Sequence, residues 1–145
     1  MKSDSDVKRV LSDDGLNPDT LTTFHKYENS STVNLENLRQ ELGMGSWAVR
    51  IAYNDRFGGV IIQQQPGEGN RRHFHPHADE NWVIMDGEWE WGIDGKGTKT
   101  VKTNDIVVVP KGILHQITCV GTQPGVRYAI TQPDVEHVYP DSDKT

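Results

Sequence analysis

Residues 67–87 read GEGNRRHFHPHADENWVIMDG and hold three of the six histidines of the chain. In an extended strand, residues two apart point to the same face, so His73 and His75 can both point inward. Pro76 cannot donate a hydrogen bond to a neighbouring strand, which places His77 in a turn. The stretch therefore predicts a pair of histidines on one face of a strand that ends at a turn.

The strand after this turn supplies a candidate carboxylate. Glu80 opens the apolar run NWVIMD, and an antiparallel return would bring it beside the two imidazoles, whereas Asp79 has the opposite parity if the strand begins there. A fourth ligand is expected from a distant strand, and His115 begins one just after the turn PKG. Burying imidazoles and a carboxylate without a shared ion is costly. A metal site is therefore predicted at His73, His75, Glu80 and His115.

Short strands account for most of the chain from residue 46 onward. SWAVRIAY alternates in the manner of a half-buried strand, with Trp47, Val49, Ile51 and Tyr53 on one face and Ala48, Arg50 and Ala52 on the other. VIIQQQ, EWEWGID, DIVVVP, HQITCV and VRYAIT have the length of further short strands. Turns that contain Gly or Pro separate them. At 145 residues the chain fits a single domain. The pattern is that of an all-β sandwich or barrel.

The two ends of the chain look different from this centre. Residues 1–45 begin as a polar arm and continue into one short amphipathic helix, in which Leu35, Leu38 and Leu42 have helical spacing and Gly43 follows the last turn. Residues 133–145 look like a tail. The isolated histidines are expected to be surface side chains rather than ligands; these are His25 and His137.

The first motif resembles the signature of the cupin superfamily, G(X)5HXH(X)3,4E(X)6G. Every position of that signature is matched, by Gly67, His73, His75, Glu80 and Gly87. The second cupin motif, G(X)5PXG(X)2H(X)3N, is similar to residues 104–119, with Pro110, Gly112 and His115 in place. Asn104 stands there for Gly, which it can partly replace because it tolerates left-handed backbone angles, and Cys119 stands for Asn.

The resemblance covers about residues 45–132 and implies a small single-domain cupin of the type-2 conserved-barrel kind. Its fold would be a double-stranded β-helix, or jelly-roll barrel, over residues 46–132. The four predicted ligands would hold one divalent transition metal per chain, with Fe(II) favoured and Mn(II), Ni(II), Co(II) or Zn(II) as alternatives. The resemblance also implies a homodimer.

The predicted function is that of a metal-dependent enzyme acting on a small polar or carboxylated molecule, with a slight preference for an Fe(II) oxygenase. A non-redox lyase, isomerase or cyclase is the first alternative, a cupin that only binds a small molecule the second, and a storage-type barrel the third. The formal charge of −6 argues against a nucleic-acid partner. With a single cysteine and no signal or membrane-spanning run, the expected location is the cytoplasm.

Aromatic and polar side chains on the predicted strands are candidates to contact the substrate. Inward indoles would form a tight pocket, although at least one is expected to be core or interface, and an inward guanidinium or phenol would anchor a carboxylate. At least one amide of the run QQQ must face inward, because consecutive strand residues alternate. The candidates are Trp82, Trp89, Trp91, Arg50, Tyr53, Gln64 and Tyr128, with Arg127 considered beside them.

Overall fold

The structure is a computed structural model that describes residues 21–140. Within that range the chain forms two short helices and nine strands. The helices are α1 (Leu21–Phe24) and α2 (Leu35–Leu42). The strands are β1 (Trp47–Tyr53), β2 (Gly58–Gln64), β3 (Gly69–His73), β4 (Glu80–Asp86), β5 (Glu88–Ile93), β6 (Gly97–Lys102), β7 (Ile106–Val109), β8 (His115–Val120) and β9 (Gly125–Thr131).

The strands form two antiparallel sheets that enclose the interior of a barrel. One sheet has the order β1-β2-β9-β4-β7 and the other has the order β3-β8-β5-β6. Strands distant in sequence, such as β2 and β9 or β3 and β8, are therefore neighbours. This is the jelly-roll arrangement expected from the sequence, and the all-β fold class is confirmed.

Helix α2 forms where its leucines predicted a helix. The side chain of Asn34 accepts a hydrogen bond from the backbone N–H of Asn37 at the start, and Gly43 ends the helix with φ of +88°. Leu38 packs against Trp47 and Val49 on the outer face of the five-stranded sheet. The helix therefore covers the outside of the barrel and leaves its interior face to other side chains.

A bulge in β1 changes which side chains face the interior. The register with β2 shifts between Arg50 and Ala52, so Arg50 pairs with Val60 while Tyr53 pairs with Gly58. Val60 and Gly58 are two apart on β2 and share a face. Arg50 and Tyr53 consequently point to the same side although they are three residues apart, which strict alternation along β1 does not predict.

Both ends of the described range pack more closely against the barrel than the sequence suggested. Phe24, in the segment interpreted as a polar arm, is 2% exposed. Residues 133–140 were interpreted as part of a tail, yet Phe74 and Val138 form an antiparallel bridge with two backbone hydrogen bonds, and Tyr139 is buried. Residues 1–20 of the arm lie outside the described range, as do residues 141–145 of the tail. Between residues 21 and 140, no helix has the length and apolar character needed to cross a membrane.

Candidate metal centre

The four side chains expected to bind metal meet at one place inside the barrel. His73 ends β3, His115 begins β8 directly opposite it, and Glu80 begins β4 on the other sheet. His75 lies just beyond β3, with its side chain buried like the other three. One ligand atom from each of the four lies within 4.8 Å of the others.

Each of the three imidazoles is oriented by a backbone carbonyl. The Nδ1 atom of His73 lies 2.7 Å from the Arg71 carbonyl oxygen, and that of His115 lies 3.0 Å from the Ile113 carbonyl oxygen. Since a carbonyl can only accept, Nδ1 must carry the hydrogen in both rings. The lone pair of a neutral ring is then on Nε2, the atom available to a metal.

The third imidazole depends on the C-terminal segment for its orientation. The Nδ1 atom of His75 lies 2.9 Å from the carbonyl oxygen of Glu136, sixty-one residues away in sequence. Glu136 is held there by the adjoining bridge between Phe74 and Val138. The segment that follows β9 is therefore part of the structure that positions a candidate metal ligand.

The protonation of the cluster suits a cation. Burial, followed by the nearby His115, lowers the pKa of His73 well below its usual range. Burial likewise lowers the pKa of His115. Burial also lowers that of His75, but the adjacent Glu80 carboxylate outweighs this and raises the pKa overall. Two of the three rings thus stay neutral, with a lone pair on Nε2, at ordinary pH.

These residues fit a divalent transition metal. Glu80 Oε1 lies 2.6 Å from His75 Nε2 and 3.8 Å from His115 Nε2. Among the described residues, the buried Nε2 atom of His115 has no hydrogen-bond partner. Such a buried, unsatisfied polar atom is costly unless something occupies its lone pair. Three imidazole nitrogens and one carboxylate oxygen are a donor set for Fe(II), Mn(II), Co(II), Ni(II) or Zn(II).

A cavity of about 120 Å³ adjoins the cluster. His73 and Glu80 form part of its wall, and Trp82 lies next to them. A row of paired residues runs from Trp82 across the sheet through Ala129 and Val60 to Arg50, and all four line the cavity. Three strand spacings separate the ends of this row, about 14 Å. Arg50 is therefore on the far side of the cavity from the candidate ligands.

The far wall of the cavity carries a network of charged and polar groups. Arg50 donates from Nε to Glu28 Oε2 at 2.9 Å, and its Nη1 atom lies 3.9 Å from Asp134 Oδ1. Tyr53 donates from its hydroxyl to Asp134 Oδ2 at 2.8 Å, and the Arg50 guanidinium lies over the Tyr53 ring at 3.5 Å. His25, expected on the surface, contributes Nδ1 at 3.2 Å from Arg50 Nη2.

The substrate-contact candidates divide by where the structure places them. Trp82, Arg50 and Tyr53 line the cavity. Gln64, Trp89 and Trp91 are buried and face the interior, but they pack beyond the cavity wall, where Gln64 accepts a hydrogen bond from Arg127. Tyr128 is on the opposite face of β9 and packs with the α2 cluster. Tyr128 is therefore a wrong candidate. The sequence VRYAIT does not show which of its two alternating sets of side chains faces the interior.

His137 is a residue of the candidate site that the sequence did not indicate. It was expected at the surface, yet it lines the cavity with its ring 4.6 Å from the His75 ring and 5.0 Å from the His73 ring. The Tyr139 ring stacks on that of His137 at 6.1 Å and lies 5.4 Å from the His73 ring. The surrounding VEHVYP contains Val135, Val138 and Tyr139, and this apolar content, which has no regular spacing, is the sequence signal that the segment could pack rather than extend into solvent.

Comparisons with known proteins agree with this fold. The model of the cupin domain family matches residues 60–131. The uncharacterized protein YdbB of Bacillus subtilis is 36% identical over 44 residues, which are 30% of this chain and 39% of YdbB, so the match spans well under two thirds of that relative.

Solved structures extend the match over most of the barrel. An uncharacterized conserved protein with a double-stranded β-helix domain from Klebsiella pneumoniae superposes with a TM-score of 0.63 at 18% identity, covering 75% of this chain and 90% of that one. The oxalate decarboxylase of Lactobacillus farciminis, solved as a formate complex, superposes with a TM-score of 0.58 at 18% identity, covering 68% of this chain and 32% of that one. At these identities the likeness establishes the fold alone.

Proposed function

Since the chain belongs to the cupin superfamily, we propose that it is a mononuclear metal-dependent enzyme that acts on a small carboxylated molecule. Fe(II) would be its cofactor and dioxygen its second substrate. The observation that carries the proposal is that the buried cluster of His73, His75, Glu80 and His115 adjoins a cavity. A ligand set that only braced the fold would not need such access.

The protein contributes the ligands and their orientation. His73, His115 and Glu80 would bind through Nε2 and a carboxylate oxygen, and His75 would do so once its proton is displaced, because its Nε2 faces the same point. A bound divalent metal would supply a Lewis acid for an oxygen of the substrate and, if it is iron, redox chemistry. Four protein ligands leave one or two positions for other groups.

The cavity walls exclude water and orient the substrate. Trp82 is 1% exposed and contacts His115 edge-on at 5.4 Å, so a large apolar side chain covers this side of the cluster. Arg127 also lines the cavity, and its positive charge is close enough to contribute to the lowered pKa of His115. A cationic metal beside a buried guanidinium favours an anionic substrate group at this side of the cavity. The neighbouring oxalate decarboxylase, by its name, also acts on a small carboxylate.

An oxygen-uptake assay tests the proposal. Protein reconstituted with Fe(II) should consume dioxygen when small carboxylic acids are supplied, and His75→Ala should abolish this. His77→Ala is the matched control, because His77 is exposed and outside the cluster. Absence of iron-dependent uptake with every acid, in protein that binds iron, would contradict the oxygenase.

A non-redox lyase, isomerase or cyclase is the second candidate, and His137 favours it. Its imidazole lies on the cavity wall beside His73 and is a group that can hold or deliver a proton next to a metal-bound substrate. The sequence had offered no such group outside the ligand set. Turnover without dioxygen, with Mn(II) or Zn(II), and its loss in His137→Gln would establish this candidate over the oxygenase.

Two expectations about assembly and location stay predictions. Ile106 and Val108 are 66% and 63% exposed on the edge strand β7, an apolar pair that supports a homodimer. Sedimentation of the wild-type chain and of Val108→Lys would test this, since a charge in the interface should yield monomers. The cytoplasmic location is to be tested by fractionation of cells that express the protein.

A further inference from the structure

We propose that the cavity selects monocarboxylic acids with an apolar body and disfavours acids that carry a second charge at the far end. The inference rests on the proposed function, because it places the acid group at the metal centre. It concerns the part of the substrate that the metal does not contact, and it follows from the walls between Trp82 and Arg50.

The middle of the cavity is apolar. Most of the wall between its two sides is formed by Val60, Ile62, Ala129 and Ile117, with Phe24 closing it from the N-terminal segment. These side chains offer no hydrogen bonds to a polyol or a sugar acid, and the one polar side chain beside Ile117, that of Asn70, donates from its amide to the Tyr139 hydroxyl at 3.4 Å. A cavity of about 120 Å³ is close to the size that accommodates a benzene ring, for which about 150 Å³ is sufficient. A short alkyl chain or a single ring fills such a space.

The far wall offers no anchor for an anion, although it contains an arginine. The positive charge of Arg50 faces two carboxylates, Glu28 at 2.9 Å and Asp134 at 3.9 Å. The carboxylates of Glu28 and Asp134 together carry one negative charge more than the Arg50 guanidinium balances. An anionic end of the substrate would meet the excess negative charge of Asp134 and Glu28 instead of an unpaired guanidinium.

Asp134 is the residue that decides this preference. Its side chain is 6% exposed and it lines the cavity beside Tyr53, whereas Glu28 is not part of the cavity wall. Asp134 has φ of +52°, a conformation that Asn adopts as readily as Asp. Asp134→Asn therefore removes the charge while the backbone and the hydrogen bond from the Tyr53 hydroxyl are retained.

The test compares butyrate with succinate, in which a carboxylate replaces the terminal methyl group. Binding of each acid to Co(II)-loaded protein is measured by isothermal titration calorimetry and by the Co(II) absorption bands. We expect butyrate to bind at least about tenfold more tightly than succinate, since the second carboxylate must enter an apolar space that ends at a negative wall. In Asp134→Asn the ratio of the succinate to the butyrate dissociation constant should fall by about tenfold, because Arg50 and Glu28 then balance each other and the far wall no longer carries an excess negative charge.

Asp94→Asn is the matched control, because Asp94 also faces an arginine, Arg72, but is exposed and outside this cavity. In Asp94→Asn the ratio of the succinate to the butyrate dissociation constant should equal that of the wild type. Succinate binding as tightly as butyrate in the wild type, or an unchanged ratio in Asp134→Asn, would overturn the inference and leave the metal centre intact. Failure of Co(II) to bind would instead overturn the proposed function on which the inference rests.

A second pair of variants tests the apolar body independently of charge. Val60→Thr places a hydroxyl on the cavity wall without a change of volume, and should weaken butyrate about three- to tenfold. Val83→Thr makes the same change at a half-buried position of the same sheet that does not line the cavity, and should leave affinity unchanged. Equal losses in both variants would contradict the placement of the alkyl chain.

Discussion

Acidification should destabilise the metal-free protein because two buried imidazoles stay neutral in the folded state. The pKa values of His73 and His115 are lowered by burial, whereas the unfolded chain protonates both rings near the ordinary value of 6.5. Below that pH the unfolded state binds more protons than the folded state. Stability therefore rises with pH, so the contribution of these rings is intact above pH 6.5 and is lost as the pH falls below it.

The magnitude follows from linkage. Each ring that stays neutral in the folded state lowers the free energy of unfolding by at most about 2 kcal/mol between pH 7 and pH 5, and the two rings together lower it by at most about 4 kcal/mol. His75 has a raised pKa, mainly through Glu80 acting against burial, and its contribution has the opposite sign. A net loss on the order of 2 kcal/mol in the free energy of unfolding is expected between pH 7 and pH 5.

Urea unfolding in the presence of a chelator, followed by circular dichroism across this pH range, measures the loss. In His115→Gln the loss should shrink by at most about 2 kcal/mol, because one titrating ring has gone. His77→Gln should behave as the wild type, since His77 is exposed. Constant or increasing stability on acidification of the wild type, or an identical loss in His115→Gln, would refute the reasoning.

Three further predictions concern the metal centre and its supports. Val138→Pro removes the backbone N–H that donates to the Phe74 carbonyl, and this weakens the attachment of the segment whose Glu136 carbonyl orients His75. The metal dissociation constant, measured by competition with a chelator, should therefore rise about tenfold, and an unchanged value would contradict the role of this segment. Metal at a hundred times its dissociation constant should raise the free energy of unfolding by about 2.7 kcal/mol in the wild type and not in His75→Ala, as thermal melts can check. Gly125→Ala places a methyl group 2.7 Å from the indole nitrogen of Trp89 and should lower the free energy of unfolding in urea by about 1 to 3 kcal/mol. An unchanged free energy of unfolding would mean that the indole can move aside and would contradict close packing at this point.

The fold and the ligand cluster were predictable because both depend on local patterns. The HxH spacing, the proline that ends the strand and the return through Glu80 specify parity over eight residues, and parity decides which side chains share a face. The strand bounds also followed from Gly and Pro turns. His115 was placed by its position at the start of a strand, which the structure confirms by pairing it with His73.

The cavity was less predictable because it depends on irregular backbone and on distant packing. A one-residue bulge brings Tyr53 to the face of Arg50, and no feature of WAVRIAY marks where such a bulge falls. The run VRYAIT alternates equally well in both phases, so Tyr128 was assigned to the wrong side. His137 was missed because its segment is held by a single bridge and the carbonyl bond to His75, not by a periodic apolar pattern.

The central claim is that four side chains bind one metal ion, and metal content measures it most directly. Protein purified without an affinity tag, and reconstituted anaerobically with Fe(II), should contain about one metal ion per chain by inductively coupled plasma mass spectrometry. His75→Ala and His115→Ala should lose that metal, while His77→Ala should keep it. Metal retained without His75 and His115, or absent from the reconstituted wild type, would contradict the account.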